Sequence, residues 1–212
     1  MELYVQFNDI MTRGGPVMWV IFVTAWLAIV LLIERALQIQ LWLMRATADR
    51  KALNADHGYN PPAKSMRGSS PVATLLKRLH WDDIHSRDDL SQQMHIHLAE
   101  IMPKIEGKLP TIAVLGTLLP MLGLLGTVVG MIEVFEVIAL HGTGNPQEMA
   151  NGISQALLTT ASGLIIAIPV IFFHHLLVQR VHFLLAVTEE SLLVVYNRPL
   201  PNTLTKEAST DE

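Results

Sequence analysis

The chain has no cysteine, so disulfides, thiolate-held iron–sulfur clusters and thiol catalysis have no residue to work with. Charge is scarce as well. Asp, Glu, Lys and Arg make up 16% of the residues while apolar ones reach 50%, against about a quarter charged in an ordinary soluble domain. The net charge is −4 and no basic block occurs, so the electrostatic footprint of a nucleic-acid binder is missing. Neither a G-x-x-x-x-G-K-[ST] loop nor an H-E-x-x-H helix is present, and with them go P-loop nucleotide hydrolysis and zincin chemistry. His95 and His97 fall on different faces of any helix through them and read as solvated side chains. No metal, cofactor or enzymatic activity is expected.

What fills the chain instead is long uncharged runs. No Lys, Arg, Asp or Glu occurs from 109 through 132, from 14 through 33, or between Glu148 and Arg180. The last run is most apolar from 153 to 173. Roughly 20 apolar residues cross a hydrocarbon core of about 30 Å as a helix, so each run is long enough to span. A cleaved signal peptide is the rival reading of the first run. It fits poorly, because no basic segment precedes it and no small-residue cleavage site follows it.

Lys and Arg set the expected orientation. Arg35, Arg45, Arg50 and Lys51 follow the first run, Lys104 and Lys108 precede the second, and Arg180 and Arg198 follow the third. Arg13 stands alone on the other side. The positive-inside rule then puts the N-terminus outside and the C-terminus in the cytoplasm. The fold expected is an all-α membrane protein, three transmembrane helices with a helical cytoplasmic domain. Its parts are a periplasmic segment at 1–15, spans at 16–33, 109–140 and 151–178, a cytoplasmic region at 34–108, a periplasmic loop at 141–150 and a cytoplasmic helix and tail at 179–212.

Leu3, Val5, Phe7, Ile10 and Met11 suit a short interfacial helix before the first span. Leu37, Leu41 and Met44 continue a stripe out of it. The stretch 54–70, with Pro61 and Pro62, reads as a linker. Val72, Leu75, Leu76 and Leu79 mark a short amphipathic helix. Ser86, followed three residues later by Asp89, opens another as a capping box, with Leu90, Met94, Leu98, Ile101 and Ile105 on its apolar face. That stripe is expected to run on into the second span, bent by Pro103 and Pro110.

The spans carry small residues at helical spacing. Gly116, Gly123, Gly126 and Gly130 step by seven, three and four in the second span, with Thr127 beside them. In the third span Gly152, Ala156, Thr160, Gly163 and Ala167 form a matching stripe, flanked by Thr159 and Ser162. Small residues let helices approach closely in lipid, where no hydrophobic force drives them together. Two roles are open for the hydroxyls: bonding a carbonyl one turn back, or lining a polar seam shared by the two spans. Two more ambiguities stand beside this one. His174 and His175 fit either a proton relay or interfacial anchoring, and Glu133 and Glu136 fit either a cation-attracting mouth or a plain interfacial pair.

The run 120–132, P-M-L-G-L-L-G-T-V-V-G-M-I, and the run 150–169, A-N-G-I-S-Q-A-L-L-T-T-A-S-G-L-I-I-A-I-P, resemble the second- and third-span signatures of the ExbB/TolQ/MotA proton-channel family. With the 14–19 segment G-G-P-V-M-W and Glu34-Arg35, the resemblance covers about 10 to 185 and leans to the ExbB and TolQ branch. It implies a multi-pass protein of the bacterial inner membrane, a homo-oligomeric ring that is most simply a pentamer, and the conduction of protons. Thr127 and Thr160 would line the path, with Gln155 and Thr159 beside them, and Gly123, Gly126, Gly130 and Gly163 would pack the helices. Where ExbB and TolQ usually carry Glu in a G-I-x-E-A-L segment, this chain has Gln155. The amide keeps the size and the hydrogen bonding but loses the titratable site. Either that Glu is dispensable for conduction or this branch couples differently.

One absence bears on mechanism. No carboxylic acid occurs between 109 and 132 or between 149 and 179, and hydroxyls do not store a proton near neutral pH. A membrane proton relay generally uses a buried ionisable group, so a partner should lend one. The resemblance supplies it: an ExbD-like single-span protein with a membrane Asp, coupled through a TonB-like protein to outer-membrane uptake. The alternatives are a TolQ-like subunit of the Tol-Pal envelope system and a non-conducting structural scaffold. Membrane lipids are the remaining partner, and nucleic acid is not one.

Overall fold

The computed structural model describes residues 8, 10–55, 70–79, 84, 86–142 and 146–198. Leu3, Val5 and Phe7 of the expected interfacial helix, the linker with Pro61 and Pro62, and the tail from 199 lie outside the described residues. Among those described there is no strand. Five helices follow in order: α1 Gly15–Ala55, α2 Pro71–Arg78, α3 Arg87–Glu106, α4 Leu109–His141 and α5 Pro146–Tyr196. Three helical stretches, 15–54, 87–141 and 146–196, are long and apolar enough to cross a membrane. With 41 residues in α1 and 51 in α5, these helices run for about 60 and 75 Å at about 1.5 Å per residue. Both therefore continue well beyond a hydrocarbon core of about 30 Å.

The chain divides into two compact units, one of residues 1–34 and 108–176 and the other of 35–107 and 177–212. The first is built inside out for water. Beside buried Ile21, Ile112 and Leu119, its interior holds many small residues: Ala156 is 3% exposed and Ala167 1%, and Gly123, Gly126 and Gly130 are buried with them. Many of its large apolar side chains point outward, Ile165 at 70% exposed, Ile168 at 67% and Trp26 at 64%. In water each such side chain forgoes about 1.5–3 kcal/mol of burial. An apolar surface this continuous marks contact with something other than water, and in lipid the penalty vanishes.

The second unit has an apolar core built from four helices. Val72, Leu75 and Leu76 of α2 and Leu90, Ile101 and Ile105 of α3 are buried, as are Ile39 of α1 and Leu184 and Val195 of α5. Side chains cap the short helices. The Ser70 hydroxyl accepts from the Ala73 amide at 3.0 Å and donates to the buried carboxylate of Asp49. Ser86 accepts from the Asp89 amide at 3.1 Å and starts α3 where the capping pattern puts it.

Two details differ from the sequence expectation. The stripe Leu37, Leu41 and Met44 is helical but exposed, and the buried face of that part of α1 is Arg35, Ile39, Ala46, Asp49 and Leu53. Apolar residues occur on both faces there, so periodicity does not choose between them. The stripe of α3 also does not run unbroken into α4. The chain breaks at Gly107, where φ is +51°, a conformation open to glycine, and Pro110 sits in the first turn of the new helix, where its missing N–H is harmless.

Arg35 lies beneath that break at 3% exposed. Its guanidinium donates to Gln38 Oε1 at 2.9 Å and to the Lys104 carbonyl at 3.4 Å, and it stacks 5.2 Å from the Trp42 ring centroid. A Cβ on Gly107 would come within 2.8 Å of its Cζ. A lysine ammonium has neither the planar fork nor the stacking face. Arg35→Lys is therefore expected to destabilise the protein by about 2 kcal/mol, the range for stranding buried partners of a charged hydrogen bond. A lowered thermal midpoint in detergent checks this.

Candidate functional site

In the first unit α4 and α5 pack through their small residues. A Cβ on Gly163 would lie 2.7 Å from the Leu119 carbonyl oxygen and 3.1 Å from Gly123 Cα, and one on Gly123 would lie 3.1 Å from Thr160 Cα. At Gly130 the obstacles are the Gly152 carbonyl oxygen at 2.8 Å and Ala156 Cβ at 2.9 Å. No side chain fits in these gaps. The helices touch backbone to backbone, as small-residue contacts in lipid allow.

The threonines are distributed around this contact. Thr159 is fully buried, in the space Gly126 leaves open, and donates within its own helix to Ala156 O at 2.9 Å and Gln155 O at 3.1 Å. Thr160 is half-buried and donates across the contact to the Gly123 carbonyl at 2.9 Å. Thr127, also half-buried, donates to Leu124 O at 2.6 Å in its own helix. The stripe drawn from sequence had Thr160 in line and Thr159 beside it, and the structure reverses the two. From Ala156 to Gly163 a helix makes nearly two turns, so Thr159 and Thr160 fall either side of the midline. The missing side chain of Gly126 then favours Thr159 at the centre.

Gly123 is the reference point for both half-buried hydroxyls. Thr160 bonds its carbonyl, and Thr127 lies one turn further along the same helix. Each hydroxyl spends its proton on a helix carbonyl and keeps acceptor lone pairs. Toward a third group in this geometry, both are hydrogen-bond acceptors.

Gln155 has a partner that sequence reasoning missed. Its Nε2 donates to Glu133 Oε1 of α4 at 3.2 Å. A Cβ on Gly15, at the start of α1 with φ +65°, would come 2.6 Å from the same nitrogen. Part of the signal was present: laying the two small-residue stripes antiparallel, with Gly130 opposite Gly152, brings Glu133 within about two helical turns of Gln155. His97 Nδ1 lies 3.4 Å from Glu100, a local pair on α3. Among the described residues no group of three or more His, Asp or Glu side chains is placed to hold a metal ion.

Long helices with apolar exteriors, packed through glycines and long enough to cross a bilayer, define an integral membrane protein. Residues 67–190 match the MotA/TolQ/ExbB proton channel family, and the chain belongs to that family. It is 33% identical over 177 residues to the biopolymer transport protein exbB1 of Vibrio cholerae, covering 78% of this chain and 76% of that one. It is 37% identical over 83 residues to the biopolymer transport protein ExbB of Aquifex aeolicus, 39% of this chain and 56% of that one. To the Tol-Pal system protein TolQ of Pseudomonas aeruginosa it is 31% identical over 133 residues, 60% of this chain and 58% of that one.

Proposed function

We propose that the chain is the ExbB-like proton-channel subunit of an energy-transducing complex in the bacterial inner membrane, N-terminus outside, forming a ring, most simply a pentamer, around an ExbD-like partner. The partner's single helix carries an Asp, and a TonB-like protein takes the resulting motion to outer-membrane uptake. The observation that carries this reading is a pair of half-buried hydroxyls, Thr160 bonded to the Gly123 carbonyl and Thr127 one turn from Gly123 along α4, in a stretch with no carboxylate of its own. Gln155 lies further along α5 toward its start. Thr159 supports the same path from within the helix contact.

The chemistry favours a protonated visitor. Both hydroxyls have given their protons to carbonyls, so a neutral carboxylic acid can donate to them while an ionised one finds no donor there. An acid that takes a proton at one end of the seam crosses it neutral and releases the proton at the other. Each charge falling through 100 mV yields about 2.3 kcal/mol, so mechanical output of any size uses several.

The stretch shared with the Tol-Pal protein favours a second output, a TolQ-like role in the envelope, through the same seam. The test is to purify the chain with its membrane partner and count copies by native mass spectrometry. A multi-copy ring around a single-span, Asp-bearing protein is expected. The identity of the third protein recovered with it separates the ExbB-like from the TolQ-like output. A complex with no such partner overturns the proposal.

A further inference from the structure

Two acidic side chains lie within α4, Glu133 and Glu136. Glu136 is exposed, but Glu133 is half-buried and accepts the Gln155 amide from the neighbouring helix at 3.2 Å. The amide is confined from another side by Gly15, whose place admits no Cβ. So the start of α1, α4 and α5 converge on one carboxylate–amide pair. Gly15, Gln155 and Glu133 all belong to the same compact unit.

The position along α4 matters as much as the contact. Glu133 is six residues beyond Thr127 and eight before the helix ends at His141, or about 9 Å from the hydroxyl and 12 Å from the end at about 1.5 Å per residue. It therefore stands between the seam and the α4–α5 connection. A carboxylate at that depth is costly in an apolar setting unless it has a function or a partner. One amide N–H leaves most of its lone pairs unfilled.

We propose that Glu133 and Gln155 form a single proton-binding site that feeds the seam at Thr127 and Thr160, an inference that rests on the proton-conducting reading above. Glu133 is the group that carries the proton, and Gln155 is a positioning residue that holds the carboxylate inward. A hydronium arriving from the side of the α4–α5 connection gives up one O–H bond as a new one forms on a Glu133 oxygen, leaving water. The proton then passes to a carboxylate of the partner helix, and Glu133 returns to its ionised form held by the amide. No oxidant or further reactant takes part.

The pair allows a test in which packing and proton transfer separate. In E133Q the new amide oxygen still accepts from Gln155, so shape and hydrogen bond survive while the titratable group is gone. The complex purified with its membrane partner, reconstituted in vesicles holding a pH-sensitive dye, is expected to assemble with an unchanged thermal midpoint. Its proton flux should fall by on the order of tenfold or more, the scale of losing one positioned proton-transfer group. The double variant E133Q/Q155E puts the carboxylate back across the same contact and should recover flux to within about threefold of wild type, as a coupled pair does. A merely structural contact gives no such recovery. Wild-type flux in E133Q, failure of E133Q to assemble, or a double variant no better than the single one overturns the inference. Thr160→Val measured alongside keeps the two claims apart: if it too conducts normally, the proton-conducting reading fails, whereas its loss beside an unaffected E133Q removes only the role given to Glu133.

Discussion

Gly163→Val is expected to abolish the folded membrane hairpin. The added side chain has nowhere to go, because a Cβ alone meets the Leu119 carbonyl oxygen at 2.7 Å and Gly123 Cα at 3.1 Å. Both obstacles are backbone, which no rotamer change moves. Relief means separating the helices, and that also opens the Thr160 bond to Gly123 and the nest of Thr159 against Gly126. Overpacking an ordinary core costs about 1–3 kcal/mol, and a rigid backbone puts this substitution at or above the top of that range. The thermal midpoint and protease resistance of detergent-purified protein read the effect. Leu124→Ala is the control: Leu124 is 63% exposed on α4, the helix that Gly163 packs against, and its truncation should leave both measures nearly unchanged. Wild-type behaviour in Gly163→Val would mean that α4 and α5 do not pack through this glycine.

Thr160→Val should do the reverse, sparing the fold and stopping the function. Valine replaces the hydroxyl with a methyl of similar volume, so packing beside Gly123 persists. What is lost is one interhelical hydrogen bond, at 2.9 Å, and such bonds average about 0.6 kcal/mol within membranes. The Gly123 carbonyl keeps its place in the helix ladder. The protein should therefore accumulate and fold at normal levels. For a passing acid the change is large, since the acceptor at Thr160 becomes an apolar methyl. Proton-driven uptake, or flux in reconstituted vesicles, should fall by about tenfold or more. Normal uptake with normal assembly would leave the hydroxyls a packing role only.

Much of this was legible in the sequence because lipid imposes simple rules. An uncharged run of sufficient length has few fates, so the three spans follow from 14–33, 109–132 and the run before Arg180. Gly123, Gly126, Gly130 and Gly163 at helical spacing announce a close contact, and Ser86 with Asp89 marks the start of α3 from local hydrogen bonding alone. The limits have physical causes too. Periodicity assigns a residue to a sector about 100° wide, so it cannot rank Thr159 against Thr160, which straddle the midline; the partner helix, through the gap at Gly126, decides. The extension of α1 is apolar on more than one face, which hid the buried row from Arg35 to Leu53. Gln155 and Glu133 are far apart in the chain, and their pairing emerges only once the hairpin's register is known. Gly107 resembles any other glycine until its positive φ is seen.

The glycine contact inside the first unit also constrains how this lineage can vary. Outward positions such as Ile165 and Ile168 meet a disordered fluid and can drift among greasy residues at little penalty. The hairpin seam already uses the smallest side chain there is, so change at Gly123 or Gly163 runs in one direction only, toward a clash. Divergence along that line must then come as paired exchanges, one helix yielding volume as the other gains it, and the stretches free to diversify singly are those on the outward faces.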